Sequence, residues 1–402
     1  MLCCLRCLAG ATHALRGCAE VIDDVERCIF NSNKLLRRLP SLTALQGEPR
    51  DAAGAGAPRS EAGEFGGGRM TPVRVAAVGV GGWGRALADA AGRGTGLAIV
   101  ACTSRGADNR AAFAKTYGCR DLPSYEAVLA DPEVEGVLIT TPHSLHAEQV
   151  VAAARAGKHV FVDKPFALTV ADGRRATEAC RRAGVVLAVG HQRRKQAASR
   201  ALKRLLDEDV LGRVAQIEGN FSSDTGFALR PGVWRTVRAE TPGGAMTNLG
   251  IHHVDTFQYL LGPIIRVTAF SRRVALTGVE IDDATSILFE FASGGLGYLG
   301  TSWVHANRTA VITLHGTEAQ AWSEADGTRL FVARRGQPER TAVSLTQVDA
   351  VVEELAEFAR SVREGARPEV GGLEGTANVA VLEAIVESAE TGRAVLVRST
   401  DT

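Results

Sequence analysis

The chain has 402 residues, a formal net charge of +1 at pH 7 and 45% hydrophobic residues, which is typical of a globular protein with room for two separate cores. The near-zero net charge argues against nucleic acid or an anionic membrane surface as the main partner. The aromatic content of 5% argues against base-stacking platforms, and no apolar stretch has the length of a membrane span.

Residues 1–69 differ in composition from the rest of the chain. The segment 46–69 is rich in Gly, Ala and Pro and has little to bury, so we expect a flexible linker. Met70 directly precedes the first strong strand, and we expect it to be the true start, with 1–69 a disordered extension. A regulatory or targeting arm is the alternative, although its acidic residues are unlike a transit peptide.

The cysteines are unevenly distributed. Five of the eight lie in the first 28 residues, but no second cluster at ligand spacing follows the CCLRC run, so a metal site is poorly supported. The other three are scattered and read as small core residues. Nothing demands an oxidising compartment, so we expect a cytoplasmic protein without a bound metal.

The body begins with a strand, a glycine turn and a helix within residues 73–93. Gly79, Gly81 and Gly84 form a G-x-G-x-x-G, which in this context lets the backbone approach a pyrophosphate at a helix N-terminus. Further strands are predicted at 97–103, 136–141, 158–163 and 184–190, with helices at 109–118, 144–156 and 169–183. This alternation predicts an α/β domain, a Rossmann doubly wound parallel sheet over 72–191. A glycine-rich turn in some other α/β protein is the alternative.

The second predicted strand ends without the acid that usually binds the ribose 2′-hydroxyl. Ser104 and Arg105 stand at that position, and Asp108 follows only at the start of the next helix. An arginine there accommodates a 2′-phosphate, so we expect NADP(H) to be favoured, with NAD(H) possible. The alternative for Arg105 is an ordinary loop residue.

After residue 190 the pattern changes to an α+β domain, predicted over 192–400. A helix at 197–209 leads into strands at 214–222, 264–274, 285–293, 296–304 and 309–317, joined by hairpin-like turns. Two helices, about 347–364 and 374–390, follow. We expect a large, mostly antiparallel sheet with one uncovered apolar face, which would pair with a second copy in a homo-oligomer, a dimer or tetramer.

Several motifs stand in a fixed order along the body. They are the glycine fingerprint, TPHSLHAEQ (141–149), DKP (163–165), GGAMTNLGIHHVD (243–255) and the ending VLEAIVESAETGRAVLV (381–397). Together they resemble the glucose–fructose oxidoreductase, inositol dehydrogenase and MocA family over residues 73 to about 398. The resemblance implies an NAD(P)-dependent oxidoreductase acting on CH–OH groups.

The DKP motif lies at the end of a strand, where ligands bind in open parallel sheets. By the resemblance, Lys164 is the active-site lysine, a fixed donor to an oxygen that gains negative charge during hydride loss. Asp163 replaces the glutamate usual in the family, and Pro165 is associated there with a cis peptide bond. The alternative for Lys164 is a solvated loop residue.

A second polar cluster lies on a helix predicted from about Ala245 through Leu261. Asn248 and His252 are four residues apart and therefore on one face, and Asp255 follows on the same side. By the resemblance, His252 is the acid/base histidine, kept unprotonated by a nearby lysine, and Asn248 takes a position where sugar-oxidising members have aspartate. A buried core histidine is the alternative, and a metal site with His253 is poorly supported.

The resemblance also implies a set of cofactor-binding residues. They are Gly79, Gly81, Gly82, Trp83, Gly84, Ser104, Arg105, Thr141, Pro142, His146, Asp163, Lys164, Gln192, Trp234 and Arg235. His143 and His146 read as capping or cofactor-edge groups. Arg193 and Arg194 at the domain junction could meet phosphate, an acidic substrate or solvent.

We therefore expect hydride transfer between a nicotinamide and a secondary alcohol or ketone of a sugar, inositol or related cyclic polyol. His252 would take the hydroxyl proton while Lys164 stabilises the alkoxide. One alternative is a dehydrogenase of a hydroxylated or carboxylated ring compound. The other is a catalytically silent dinucleotide-binding regulator on the same fold.

Overall fold

Strands and helices alternate through the first half of the described chain, which spans residues 71–398 of a computed structural model. The expected start at Met70 and the extension 1–69 lie outside the described residues. Within the described range no helix is long and apolar enough to cross a membrane.

The first sheet is parallel and six-stranded. Its strands are β1 (Val73–Val78), β2 (Leu97–Thr103), β3 (Arg120–Asp121), β4 (Gly136–Ile139), β5 (His159–Asp163) and β6 (Leu187–Gly190). Its helices are α1 (Gly82–Ala91), α2 (Ala107–Tyr117), α3 (Tyr125–Ala130), α4 (His143–Arg155) and α5 (Val170–Ala183). The strand order β3-β2-β1-β4-β5-β6 confirms the doubly wound prediction and puts the topological switch point, where ligands bind in such sheets, between β1 and β4.

The second sheet has nine strands. They are β7 (Val214–Ser222), β8 (Ile264–Arg272), β9 (Ala284–Phe291), β10 (Leu296–Ser302), β11 (Thr309–Gly316), β12 (Ala319–Glu324), β13 (Arg329–Arg334), β14 (Thr341–Val343) and β15 (Val395–Leu396), in the order β14-β13-β12-β11-β7-β10-β9-β8-β15. Only β7 and β10 pair in parallel among these neighbours, so the expectation of a mostly antiparallel sheet is confirmed. Residues 319–343 were not predicted as strands.

The described part of the second half also contains four α-helices, preceded by a 3₁₀ turn. The turn is Gln192–Lys195, and the helices are α6 (Ala197–Asp207), α7 (Ile251–Leu261), α8 (Ala350–Glu364) and α9 (Gly372–Thr391). Helix α8 returns to the first sheet, where the Phe358 ring meets Phe161 of β5 with centroids 5.9 Å apart. Helix α8 therefore covers the first sheet beside the strand that ends at Asp163, whereas α9 packs between α5 and β8 of the second sheet.

The helix expected from Ala245 through Leu261 does not have one geometry. Its first turn, Met246–Gly250, is π-helical, and the α-helix begins at Ile251. Two residues before this turn, Gly244 has a φ of +55°, and a Cβ there would stand 1.9 Å from the Asp282 backbone oxygen. Only glycine tolerates this close approach at the start of the helical segment.

Candidate active site

A cavity of about 620 Å³ lies beyond the carboxyl ends of β1, β2 and β4. Its lining consists of Val78, Gly79, Val80, Gly81, Thr103, Ser104, Arg105, Gly106, Asn109, Pro123, Ser124, Tyr125, Thr140, Thr141, Pro142, Leu145, Gln149 and Trp234. This lining contains no aspartate or glutamate. The cavity therefore offers an elongated site at the switch point without a fixed negative charge.

The glycine turn forms one wall of this cavity. Gly79 has a φ of +89°, and a Cβ at Gly84 would stand 2.2 Å from the Gly79 backbone oxygen, so both positions require glycine. Gly81 and Gly82 have open space where a side chain would be, and the start of α1 has no side-chain cap. The free N–H groups at this helix start suit a pyrophosphate, so the turn fits a dinucleotide.

Trp83 does not join that wall. Its ring packs with the apolar cluster that includes Leu355 and Phe358, on the side of the first sheet covered by α8. The indole nitrogen is buried and has no hydrogen-bond partner among the described residues. The structure thus places Trp83 behind the glycine turn, away from the cavity.

Polar groups collect at the ribose end of the cavity. Ser104, Arg105, Asn109 and Ser124 all line it, and the Arg105 side chain is exposed. Arg110 donates to the Ser104 backbone oxygen at 3.0 Å and pairs with Asp121. The carboxylate of Asp121 is therefore already paired with an arginine.

Lys164 lies directly after β5 and is only 9% exposed. Its Nζ atom donates to the backbone oxygen of Asn248 at 2.7 Å, and the Lys164–Pro165 peptide bond is cis. Burial lowers the pKa of Lys164, opposed by the neighbouring Asp163 and reinforced by Arg235. Burial raises the pKa of Asp163. The reading of Lys164 as a solvated loop residue is wrong, because the side chain is enclosed between the two halves.

His252 lies in the first turn of α7 and is buried. Its Nδ1 atom has no hydrogen-bond partner among the described residues, and its ring faces His191 and Phe221 with centroids 5.8 and 6.0 Å away. The pKa of His252 lies well below its usual value, first because of burial and next because of Lys164. The histidine is thus neutral near pH 7 and able to accept a proton.

Asn248 is half-buried in the π-helical turn. Its backbone oxygen accepts from Lys164, whereas its side-chain Nδ2 reaches only the Gly244 backbone oxygen at 3.5 Å. The amide therefore has unused hydrogen-bonding capacity beside the lysine. It can hold a hydroxyl group but cannot carry a charge.

Arg193 and Arg194, whose partners the sequence did not determine, both pair with carboxylates of this chain. Arg194 donates to both carboxylate oxygens of Asp255 at 2.7 and 2.8 Å, and both groups are buried. Arg193 is buried too, pairs with Asp326 at 2.5 Å, and stacks on the Phe221 ring at 3.9 Å. Both guanidinium groups are therefore shielded from solvent, and each is buried together with a carboxylate that balances its charge.

Of the other predicted residues, some line the cavity or lie at its edge, and others are buried behind its wall. Thr141, Pro142 and Trp234 line the cavity, and Arg235 stacks on Trp234 at 4.1 Å. His146 is completely buried, with its ring nitrogens 2.9 and 2.8 Å from the backbone oxygens of Pro165 and Thr141. It therefore fixes the backbone around the site from behind.

Two more of these residues sit beside the cavity. The His143 ring lies 4.8 Å from the Trp234 ring, with its Nδ1 atom 2.7 Å from the Glu240 backbone oxygen. Gln192 begins the 3₁₀ turn, half-buried, and its Oε1 atom has no partner among the described residues. His143 thus packs against the cavity wall, whereas Gln192 belongs to the junction between the two sheets.

Sequence reasoning missed several residues of the cavity wall. Asn109, Ser124, Tyr125, Leu145 and Gln149 all line it. Ser124 follows a two-residue strand too short to give a pattern. Leu145 and Gln149 are four residues apart on α4, and this helical spacing was the one available signal.

Comparisons with known proteins agree with this geometry. Residues 73–191 match the family model described as an oxidoreductase family with an NAD-binding Rossmann fold. Residues 199–322 match the C-terminal domain model of the GFO/IDH/MocA group. The two matches cover the first sheet and most of the second.

Relatives of known activity align over most of their own length. The chain is 29% identical to 1,5-anhydro-D-fructose reductase of Ensifer adhaerens over 307 residues, 75% of this chain and 92% of the relative. It is 30% identical to inositol 2-dehydrogenase 3 of Saccharopolyspora erythraea over 329 residues, 76% of this chain and 90% of the relative.

Solved structures agree as well. A crystal structure described as an NADPH-dependent oxidoreductase of Desulfitobacterium hafniense superposes with a TM-score of 0.78 at 34% identity, covering 82% of this chain and 99% of the other. Levoglucosan dehydrogenase, solved with NADH and L-sorbose, superposes with a TM-score of 0.75 at 22% identity, over 82% and 100%. At that identity the second likeness concerns the fold alone.

Proposed function

The chain belongs to the Gfo/Idh/MocA family of NAD(P)-dependent oxidoreductases, and from this premise we propose that it oxidises or reduces a cyclic polyol. The substrate would carry a secondary alcohol or ketone on a sugar, an inositol or a related ring. The relatives named 1,5-anhydro-D-fructose reductase and inositol 2-dehydrogenase 3 support this class.

One observation carries the proposal most: a buried lysine and a buried histidine from different halves act on each other. Among the neighbouring charges, Lys164 lowers the pKa of His252 most. The lysine also donates a hydrogen bond to the backbone of the turn that precedes the histidine. A cation and a neutral imidazole at one site are what alcohol oxidation needs, because a proton must leave the oxygen that gains charge.

The roles of the two side chains follow from their protonation. When bound, the nicotinamide supplies the carbon that accepts or gives the hydride. His252 takes the hydroxyl proton, and Lys164 donates a hydrogen bond to the same oxygen as it becomes an alkoxide. Asn248 orients a neighbouring hydroxyl through its amide. In reduction the proton passes from His252 to the oxygen.

We further propose that NADP(H) is preferred over NAD(H). Support comes from the ribose end of the cavity, where Ser104, Arg105 and Ser124 offer donors. The lining has no carboxylate that would repel a phosphate or bind a 2′-hydroxyl. Asp121, on the strand that pairs with β2, is held by Arg110.

A carboxylated ring compound is the second candidate substrate. Arg235 is exposed, stacks on Trp234 and reinforces the lowered pKa of Lys164, and it has no salt bridge to a carboxylate among the described residues. Asn248 adds no negative charge where sugar-oxidising members have aspartate. An excess of cations at the site would favour an anionic substrate.

We also propose a homo-oligomer formed through the second sheet. Phe270, Leu288 and Tyr298, on three adjacent strands, are 66%, 59% and 38% exposed on one face. Such a patch favours a second copy as its cover. The cysteines at 102, 119 and 180 are free thiols, which supports a reducing compartment, and we place the enzyme in the cytoplasm.

A substrate panel tests the proposal. The full chain is incubated with NADP⁺ or NAD⁺ and inositols, aldoses, anhydrosugars or uronic acids, and the reduced nicotinamide is followed by absorbance. We expect turnover with at least one neutral ring polyol and none by His252→Ala. Turnover of uronic acids alone would favour the second candidate. Cofactor binding without turnover of any compound would favour a silent regulator.

A further inference from the structure

A second histidine packs against His252 in the interior. His191 follows β6 directly and is 2% exposed. The two imidazole rings lie 5.8 Å apart between centroids and nearly perpendicular, at 83°. Sequence reasoning assigned no role in the site to His191, Gln258 or Asn378.

A chain of hydrogen bonds fixes the orientation of the Gln258 and Asn378 side-chain amides beside His191. The backbone N–H of Ile264 can only donate, and it reaches Gln258 Oε1 at 3.3 Å. Gln258 Nε2 then donates to Asn378 Oδ1 at 2.9 Å. Asn378 Nδ2 is therefore left to face Asp255 Oδ1 at 2.7 Å and His191 Nε2 at 3.2 Å. Both hydrogens of the Asn378 amide are thus used.

This chain determines where His191 carries its proton. Asn378 Nδ2 has no lone pair to offer, so this contact favours an accepting His191 Nε2 and a proton on Nδ1. The Nδ1 atom has no hydrogen-bond partner among the described residues, and Asp255 Oδ2 lies 4.0 Å from it. Burial lowers the pKa of His191 to about 4; Arg194 and Lys164 lower it further, and only Asp255 opposes them. With the lone pair on Nε2 engaged, His191 cannot act as a second base beside His252.

We propose that His191 is a positioning residue for His252, a neutral imidazole locked in the Nδ1–H form by Gln258 and Asn378. Its ring packs against His252, whose Nδ1 is buried without a partner among the described residues, and leaves Nε2 of His252 as the nitrogen available to a substrate. The kinetic part of this proposal rests on the proposed function. The tautomer itself does not.

Nitrogen NMR of the full chain tests the tautomer directly. Histidine-selective ¹⁵N labelling reports which ring nitrogen is protonated, and the His191 signals are identified by their loss in His191→Phe. We expect the wild-type protein at pH 7 to show a protonated Nδ1 and an unprotonated Nε2. A proton on Nε2 of His191 would overturn the proposal.

Two variants test the cause of that tautomer. Asn378→Leu removes the donor to Nε2, and we expect His191 to shift toward the Nε2–H form. Gln258→Leu removes the donor that holds Asn378 Oδ1, so the Asn378 amide can turn and we expect a mixture of both His191 tautomers. This second variant tests the cause even if Asn378→Leu does not fold. The matched control is His315→Gln, a half-exposed position on β11. An unchanged His191 tautomer in the folded variants would overturn the proposal.

Steady-state kinetics test the positioning role. With a substrate from the panel, we expect His191→Phe to lower kcat by about tenfold or more and change KM by less than about twofold, since misplacing a reacting group is costly. A kcat within about twofold of wild type would overturn the role. If no substrate is found, the NMR result still decides the tautomer, so the two failures are distinguishable.

Discussion

Lys164 donates a hydrogen bond across 2.7 Å to the backbone oxygen of Asn248. The lysine belongs to the end of the first sheet and the asparagine to the π-helical turn of the second half, so this bond joins the two halves at the candidate site. Because the acceptor is backbone, the Asn248 side chain can be exchanged without losing it. Position 248 is therefore open to a clean substitution.

We expect Asn248→Asp to fold and to gain activity on sugars or inositols that the parent converts poorly. A carboxylate beside Lys164 can accept a hydrogen bond from a substrate hydroxyl more strongly than an amide does. The measurement is kcat/KM of both proteins across the substrate panel. Loss of activity as complete as that of His252→Ala would mean that a neutral group is required at position 248, as for a carboxylated substrate repelled by the new charge.

Cofactor choice is predicted to depend on the end of β2. The double variant Ser104→Asp with Arg105→Ala should bind NAD(H) more tightly than NADP(H), the reverse of the parent, because the new carboxylate repels the 2′-phosphate. A charge-assisted contact to phosphate contributes about 1.5–3 kcal/mol, or roughly one to two decades in affinity.

Tryptophan quenching measures both affinities, since Trp234 lines the cavity. Arg155→Ala, which removes an exposed arginine at the end of α4, is the matched control and should leave the order unchanged. A parent that binds NAD(H) as well as or better than NADP(H) would reduce Arg105 to a solvated loop residue.

The pH profile of oxidation should reflect the neutral state of His252. Its pKa is depressed by burial and by Lys164, so the acid limb of kcat/KM should lie below the usual histidine value near 6.5. Removing the lysine charge in Lys164→Met relieves part of that depression, so the limb of the residual activity should move to higher pH. An acid limb at the same pH in this variant and in wild type would show that the charge of Lys164 does not influence the pKa of His252.

Stability should fall on mild acidification. Burial lowers the pKa of His191 to about 4 and that of His253 to about 3, so the unfolded chain binds protons first as the pH drops. Their contribution is complete above the unfolded value near 6.5 and is lost progressively below it. Denaturant unfolding at pH 7, 5.5 and 4.5 measures this loss of free energy of unfolding.

A substitution at His253 tests how much one of these two histidines contributes to the pH dependence of stability. His253→Gln keeps a donor for the Val311 backbone oxygen, now 3.1 Å from Nε2, but cannot titrate, so its stability should depend less on pH. His315→Gln, at a half-exposed position, should retain the wild-type dependence. Equal slopes for His253→Gln and wild type would contradict the buried neutral state.

Five of the six strands of the first sheet could be predicted because the glycine turn and the apolar strands are local signals, but the two-residue β3 could not. The strands at 319–343 could not. The pattern of β12 is weak, since its inward residues Ala319, Ala321 and Ser323 are small, and β14 has only three residues. The π-helical turn was missed because nothing in the local pattern of residues 245–261 distinguishes it from an ordinary helical turn.

The candidate site was predictable only where family motifs mark it. Lys164 and His252 were found by resemblance, and the structure brings both to the junction of the two halves. Burial was not readable: Trp83 stands inside the glycine fingerprint yet packs into the apolar cluster behind it. Asn378 was missed because its role depends on partners more than a hundred residues away.

The central claim is that Lys164 stabilises the transition state without being needed for cofactor binding. The measurement is kcat and the dissociation constant of NADP(H) for wild type and Lys164→Met, with Lys115→Met, an exposed lysine on α2, as the control. We predict unchanged binding and a kcat at least about 100-fold lower, as expected for losing one preorganised charge, with the control like wild type. A loss under about tenfold with the best substrate would remove Lys164 from the mechanism.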